Sequence, residues 1–341
     1  MTQVLPCTDD ALDLAADLIR RGEIVGFPTE TVYGLGADAL NPRAVMKLFA
    51  AKGRPGDNPL IVHIANLNQL RPLIARAPSE AALMLAQRYW PGPLTMLFEK
   101  SERVPDCVTA GLPTVGVRMP ANSYAQQLIA RAARPIAAPS ANRSGRPSPT
   151  TAQRVLEDMD GRIPLILDGG ECAVGLESTV VDLTGGAPRI LRPGGVTPEM
   201  IADAVGDVLV DARAMRPLAP GEQPRSPGMK YRHYAPNGAL TIFTGDAQRV
   251  AARIRERYDA CAGRALILAQ TAHINWYAPR DVLPLGDGAE ETAKRLFEAL
   301  RQADDMNASC IFAEAVDPTG MGLAVMNRLG RASSFQIEEV I

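Results

Sequence analysis

Two stretches of the N-terminal half carry the side chains best suited to chemistry. F-P-T-E-T-V-Y-G-L-G (27–36) puts two threonines, a tyrosine and paired glycines at one turn. K-G-R-P-G-D-N-P-L-I-V-H (52–63) follows, with Lys52 and Arg54 either side of a glycine and an alternating apolar run that ends on His63. Hydroxyls and fixed cations gathered at strand ends suit an anionic ligand with a small polar group beside it. Further along, Arg118 stands where T-V-G-V-R-M-P (114–120) would otherwise continue as an apolar strand. Ser140 and Asn142 lie in P-S-A-N-R-S-G-R-P-S-P-T, and Ser178, Thr179 and Arg192 belong to short strands after it. With Thr29, Thr31, Thr95, Ser148 and Thr150, this is an inventory of cations and hydroxyls. Transfer of a phosphoryl or nucleotidyl group needs just that: charge neutralisation, usually with magnesium, and alignment of attacker with leaving group.

Other chemistries lack their signatures. The chain has no G-x-x-x-x-G-K-[ST], no G-x-G-x-x-G after the first strand and no G-x-S-x-G, so neither the common nucleotide loops nor a serine nucleophile is expected. His63, His233 and His273 are far apart with no metal-ligand spacing, so no metal site made of protein ligands alone is expected. Taken singly, each candidate also has a structural reading. Arg118 can be half of an ion pair, Lys52 and Arg54 can satisfy a helix C-terminus, and His63 can be a core histidine. Ser140 and Asn142 can simply shape a turn.

The positioning elements follow from periodicity. Gly22 ends a helix over 11–21, and E-I-V-G-F reads as the first strand. Asn41-Pro42 caps a second helix that stops at Gly53, so Lys52 and Arg54 flank its C-terminal end. Strands over 59–65, 95–99 and 114–120 alternate with helices from Ser79 and Ser123. The close spacing of P-L-I-L-D, S-T-V-V-D-L and R-I-L-R-P predicts antiparallel members, hence an α/β unit with a mixed, twisted sheet over residues 1–210. Residues 211–238 contain R-P-L-A-P-G-E-Q-P-R-S-P-G-M-K-Y-R-H-Y-A-P-N, with five prolines and four basic residues against one acid, and read as a stiff basic linker. Residues 239–341 alternate strands and helices as a small βα-repeating, Rossmann-like unit with a largely parallel sheet. A net charge of −2 disfavours a uniformly basic nucleic-acid binder. Five scattered cysteines predict no disulfide framework and a reducing, cytoplasmic setting. Neither a signal peptide nor a membrane-spanning stretch is expected.

Taken in order, P-T-E-T-V-Y-G-L-G (28–36), K-G-R-P (52–55), N-P-L-I-V-H (58–63), W-P-G-P-L-T (90–95), V-R-M-P (117–120), P-S-A-N-x-S-G (139–145) and S-T-V-V-D (178–182) resemble the YrdC-type fold. Together with S-P-G-M-K-Y-R-H-Y-A-P (226–236), they make the chain similar to the two-domain branch of that family, the threonylcarbamoyl-AMP synthases. The resemblance implies a nucleotidyltransferase that makes threonylcarbamoyl-AMP and pyrophosphate from L-threonine, bicarbonate and ATP with Mg2+. The product would pass to a tRNA-modifying transferase complex acting on the adenosine beside the anticodon. Carried over by motif, L-threonine would be held by Thr31, His63, Arg118, Ser140 and Ser178. ATP would be held by Lys52, Arg54, Asn58, Thr114, Asn142, Thr150 (or Ser148), Arg192 and Tyr231, with Lys52 and Arg54 catalytic. Lys230, Tyr231 and His233 of the linker would form a lid that excludes water from a labile carbamate. The rival reading is an RNA-binding surface built on Arg131, Arg134, Arg143, Arg146 and Arg154.

Overall fold

The alternating pattern builds two separate sheets. The computed structural model describes residues 1–53, 55–217, 222, 226 and 234–341. These fall into two compact units, one built on Met1–Ser144 and Ser148–Ala214, the other on Gly145–Pro147, Met215–Pro217 and 234–341. Arg54, Lys230, Tyr231 and His233 lie outside the described residues. Among the described residues no helix is long and apolar enough to cross a membrane.

In the first unit the strands are β1 (Gln3–Pro6), β2 (Val25–Phe27), β3 (Gly34–Asp38), β4 (Ile61–His63), β5 (Leu94–Glu99), β6 (Thr114–Arg118), β7 (Ile136–Ala137), β8 (Leu165–Asp168), β9 (Thr179–Asp182), β10 (Arg189–Arg192) and β11 (Leu209–Val210). They form one sheet in the order β1-β8-β2-β3-β7-β4-β6-β5-β9-β10-β11. The sheet is mixed, as the strand spacing predicts: β4 and β6 run parallel, β5 and β6 antiparallel, β9 and β10 antiparallel. Successive strand residues face opposite ways, and the sequence uses that alternation. Val115 and Val117, Met96 and Phe98, and Val62 and Val181 enter one core, shared with the helices Pro42–Lys52 and Glu80–Tyr89. The helices Asp9–Arg20 and Ser123–Ala132 cover the opposite face over β2 and β8 through Leu12, Ile19, Leu128 and Ile129. Over β4, β6, β5, β9 and β10 that second face carries only a small apolar cluster, Ile61, Leu97, Val180 and Leu191.

Local caps set where the functional side chains emerge. Asn41 Oδ1 accepts from the amides of Arg43 and Ala44, Pro42 opens the helix, and Gly53 ends it at φ +62°, in the left-handed region. That termination leaves Lys52 on the last turn, buried. Beyond β10, the chain passes so close to Ser178 that a β-carbon at Gly194 would lie 2.3 Å from the Thr179 amide nitrogen and 2.5 Å from the Glu177 carbonyl. Backbone cannot yield as a flexible side chain does. Gly194→Ala is therefore expected to cost about 1–3 kcal/mol of stability in urea unfolding; an unchanged midpoint would show that the two segments separate freely.

The second unit holds β12 (Ala239–Gly245), β13 (Ala265–Ala269), β14 (Val282–Pro284), β15 (Cys310–Glu314) and β16 (Ile337–Val340), ordered β14-β13-β15-β12-β16 and parallel throughout. The helices Ala247–Asp259, Gly288–Asp305 and Met321–Ala332 connect them. Gly145–Pro147 belongs to this unit: the Ala235 amide donates to the Gly145 carbonyl at 3.0 Å, and buried Arg301 donates to the Pro147 carbonyl at 2.7 Å. The sequence predicts no disulfide framework, and the described residues hold a single disulfide. Cys261, just past the first of these helices, is bonded to Cys310 at the start of β15. Linear spacing cannot show this pair, because sheet topology brings together residues 49 apart in sequence.

Candidate active site

On the second face of the first sheet, register gathers the polar side chains that alternate with the core valines. His63 pairs with Arg118 across β4 and β6, and Thr95 pairs with Arg118 across β5 and β6. Ser178 immediately precedes β9, and Arg192 ends β10 opposite Val180. Thr95 and Ser178 share a hydroxyl hydrogen bond at 2.8 Å, and Arg192 Nε donates to the Ser178 carbonyl at 3.1 Å. Arg118, His63, Thr95, Ser178 and Arg192 are all buried. Charged and polar groups are seldom buried on a sheet face unless partnered, and here the partners are only partly supplied.

Arg118, with His63, shows this. Its Nη1 donates to Thr31 Oγ1 at 2.8 Å and its Nε donates to the Gly92 carbonyl at 3.2 Å. Nη2 lies 2.7 Å from Glu30 Oε1, a buried ion pair. Among the described residues, His63 Nδ1 and Thr150 Oγ1 are buried without hydrogen-bond partners. Thr31 is fixed in turn: its amide donates to Thr29 Oγ1 at 3.1 Å, and the Thr29 hydroxyl donates to the Val32 carbonyl at 2.6 Å. Burial alone would raise the Glu30 carboxyl, but the charge of Arg118 and nearby donors hold it below the usual range.

A second group surrounds Lys52. Its Nζ donates to the carbonyls of Ser140 and Asn142, the latter at 2.6 Å, and the Ser140 hydroxyl donates to Asn142 Oδ1 at 2.5 Å. This loop lies along the 27–36 turn: the Leu35 amide donates to Pro139, the Ala141 amide to the Tyr33 carbonyl, and Gly34 bridges to Ser140. The Val174 amide donates to the Glu30 carbonyl and the Cys172 amide to the Thr150 carbonyl, tying in Thr150. Ser148 donates to Glu177 at 2.5 Å. Asn58, fully buried, stands just before β4. Thr114 is at the far end of β6, roughly 13 Å along the strand from Arg118, on the same face. Register thus places His63 and Arg118 level with each other, and Thr114 at the opposite end of their strand pair.

Two acids escaped the sequence reading. Glu30 pairs with Arg118 and Glu177 accepts from Ser148, both buried or nearly so. The available signal was an acid inside an otherwise hydroxyl-rich or strand-forming motif, where a solvated surface charge is unexpected. Of the arginines considered for RNA, Arg131 pairs with Asp9 and Asp13, Arg134 with Asp38 and Arg154 with Glu157.

Burial first, and then the charge of Arg118, push the His63 imidazole from its ordinary value of 6.5 down to about 3. A neutral His63 suits an acceptor or donor for a hydroxyl rather than a counter-charge. Between about pH 6.5 and 3 the unfolded chain binds the proton that native His63 refuses, so stability falls with acidification at about 1.4 kcal/mol per pH unit. His63→Asn is expected to flatten that slope in urea titrations. Imidazole resonances of His63 titrating near pH 6.5 would overturn the assignment of a neutral ring.

Comparison with known proteins agrees along the whole chain. Residues 17–194 match the family model Sua5_yciO_yrdC, described as "Telomere recombination", and residues 196–334 match "Threonylcarbamoyl-AMP synthase, C-terminal domain". A threonylcarbamoyl-AMP synthase of Pyrococcus abyssi is 48% identical over 96% of this chain and 95% of its own. One of Bacillus subtilis is 45% identical over 99% of this chain and 97% of its own. The crystal structure of P. abyssi Sua5 complexed with L-threonine superposes with a TM-score of 0.93 at 46% identity, covering 100% of this chain and 99% of that one.

Proposed function

Because the chain belongs to the Sua5–YciO–YrdC family, and its C-terminal half to the threonylcarbamoyl-AMP synthase C-terminal domain family, we propose that it is an L-threonylcarbamoyladenylate synthase. L-Threonine, bicarbonate and ATP give threonylcarbamoyl-AMP, pyrophosphate and water. The carrying observation is the buried Arg118, held by Thr31 on one nitrogen and ion-paired with Glu30 on another, level with His63 on one neighbouring strand and with Thr95, which bonds Ser178, on the other. That arrangement suits a small amino acid: a guanidinium fork for the carboxylate, and hydroxyl and imidazole groups for the side-chain hydroxyl. The relative with L-threonine bound shares this fold over the full chain.

The chemistry proceeds in two balanced steps. The threonine amine attacks the bicarbonate carbon, a nitrogen–carbon bond forms, and water leaves. A carbamate oxygen then attacks the α-phosphorus of ATP, breaking the bond to the β-phosphate oxygen and releasing pyrophosphate. Lys52, with Asn58, Thr114, Asn142, Thr150 and Arg192, is assigned to binding and orienting the nucleotide, and Arg54 and Tyr231 join it on the strength of the motif; Ser140 is assigned to L-threonine with Thr31, His63, Arg118 and Ser178. Magnesium, accompanying ATP, would add neutralisation of the triphosphate. The linker with Lys230, Tyr231 and His233 is assigned to closing over the labile carbamate. The product goes to a tRNA-modifying transferase in the cytoplasm.

The test supplies purified protein with ATP, magnesium, labelled bicarbonate and each amino acid in turn, followed by chromatography. A labelled aminoacyl-carbamoyl adenylate that appears with threonine, together with pyrophosphate, is the expected outcome. Salt-sensitive RNA binding with no nucleotide consumption would replace the proposal with a binding module. Pyrophosphate release independent of threonine would point to another acceptor.

A further inference from the structure

The second unit has a cavity that the synthase reaction does not use. In open parallel sheets, ligand sites form beyond the carboxyl ends of strands, where successive connections leave for opposite faces. The chain order gives that position directly. From β12 it crosses to β13 and then steps to β14, moving one way along the sheet; from β14 it returns to β15 and then crosses to β16, moving the other way. With right-handed crossovers, the connections after β12 and β13 lie on one face and that after β15 on the other. A cavity of about 230 Å³ lies at that place, walled by Phe243 and Thr244 from β12, Gln270 and His273 after β13, and Glu314 and Asp317 at the end of β15.

Its polar wall is preset. Glu314 is buried at the end of β15 and accepts from the Tyr277 hydroxyl at 2.6 Å and the Gln270 amide at 2.9 Å. His273 Nδ1 lies 3.0 Å from both Glu314 oxygens, and the ring stacks on Trp276 with centroids 4.0 Å apart. A carboxylate accepts only, so Nδ1 is the donor in this pair. Burial and Glu314 push the Tyr277 hydroxyl well above its ordinary value, which keeps it a donor to Glu314. Thr244 and Asp317 add polar groups, and Val250, Val316 and Pro318 give the wall an apolar side.

We infer that this cavity binds a small organic amine in its protonated form, with an apolar body against Val316 and Pro318 and its ammonium group toward Asp317. Among the described residues no lysine or arginine lines the cavity, while two carboxylates do. A phosphate or carboxylate ligand would meet repulsion there, which separates this cavity from any nucleotide site. An ammonium group finds carboxylate acceptors there. Asp317 is exposed and lies outside the strands, so it can be changed without touching the core.

The experiment uses the full chain. Isopentylamine and phenethylamine are titrated while the imidazole resonances are followed by NMR, with isopentyl alcohol and isocaproate as neutral and anionic counterparts. Three histidines make the spectrum assignable, with His273→Gln identifying the signal. At least one amine should shift His273 saturably, the alcohol and the acid should not, and Asp317→Asn should weaken the amine about tenfold. Asp317→Asn should leave threonylcarbamoyl-AMP formation unchanged, so this outcome does not depend on the synthase assignment. Failure of both amines to shift His273 at millimolar concentration, an equal response to the acid, or an unaffected Asp317→Asn would overturn the inference.

Discussion

Arg118→Lys is expected to lower kcat/KM for threonine by about 100-fold, with KM for ATP changing less than about threefold, because the lost interaction is one charge-assisted hydrogen bond of a fork. Lysine keeps the positive charge beside Glu30, so the buried carboxylate is not abandoned. It loses the planar geometry that reaches Thr31 with one nitrogen and offers another to a carboxylate. Arg118→Ala is the poorer test, since breaking a buried ion pair costs about 3–5 kcal/mol of folding stability by itself. Glu30 must also give ground when a substrate carboxylate arrives at Nη2, because two carboxylates cannot share one guanidinium edge without repulsion. Arg118→Lys with threonine kinetics like those of the native chain would remove Arg118 from the substrate site and with it the main support for an amino-acid ligand.

Much of this site is legible in the sequence because a strand writes its two faces in alternate letters. T-V-G-V-R shows Val115 and Val117 to the core and leaves Thr114, Gly116 and Arg118 on the other face, as found. L-T-M-L-F does the same for Thr95, and S-T-V-V-D for Ser178. Helix caps were equally local: Asn41 and Ser79 each accept from the amides that their positions predict. What local pattern does not encode is which strand lies beside which. β5 meets β9 across more than eighty residues, and only that parallel pairing puts Thr95 against Ser178. The same limit hid the Cys261–Cys310 bond and the membership of Gly145–Pro147 in the second unit. β1 escaped for a different reason. Gln3–Pro6 is a mostly exposed edge strand with no apolar alternation, held by pairing with β8. Glu30 was read past because carboxylates are ordinarily surface residues, and only the burial of Arg118 beside it gives it a partner worth its desolvation.

Lys52 carries the other large expected effect. Its ammonium group is buried and bound to the carbonyls of Ser140 and Asn142, so it fixes the P-S-A-N loop against the end of the helix Pro42–Lys52 and places a fixed positive charge there. If that charge stabilises the triphosphate as its α-phosphorus is attacked, Lys52→Met should reduce kcat by about 10³-fold, comparable to losing one preorganised donor in other transfer reactions. Threonine affinity, measured by calorimetry without nucleotide, should change less than about threefold, because the groups assigned to the amino acid's carboxylate and hydroxyl sit around Arg118 and His63. Lys52→Arg should fail to restore activity: a planar fork cannot occupy the place where one compact nitrogen meets both carbonyls. Loss of threonine affinity in parallel with kcat would mean that Lys52 serves only as a strut for the loop. In that case the phosphate-binding charge must come from Arg192 or from residues outside the described part of the chain.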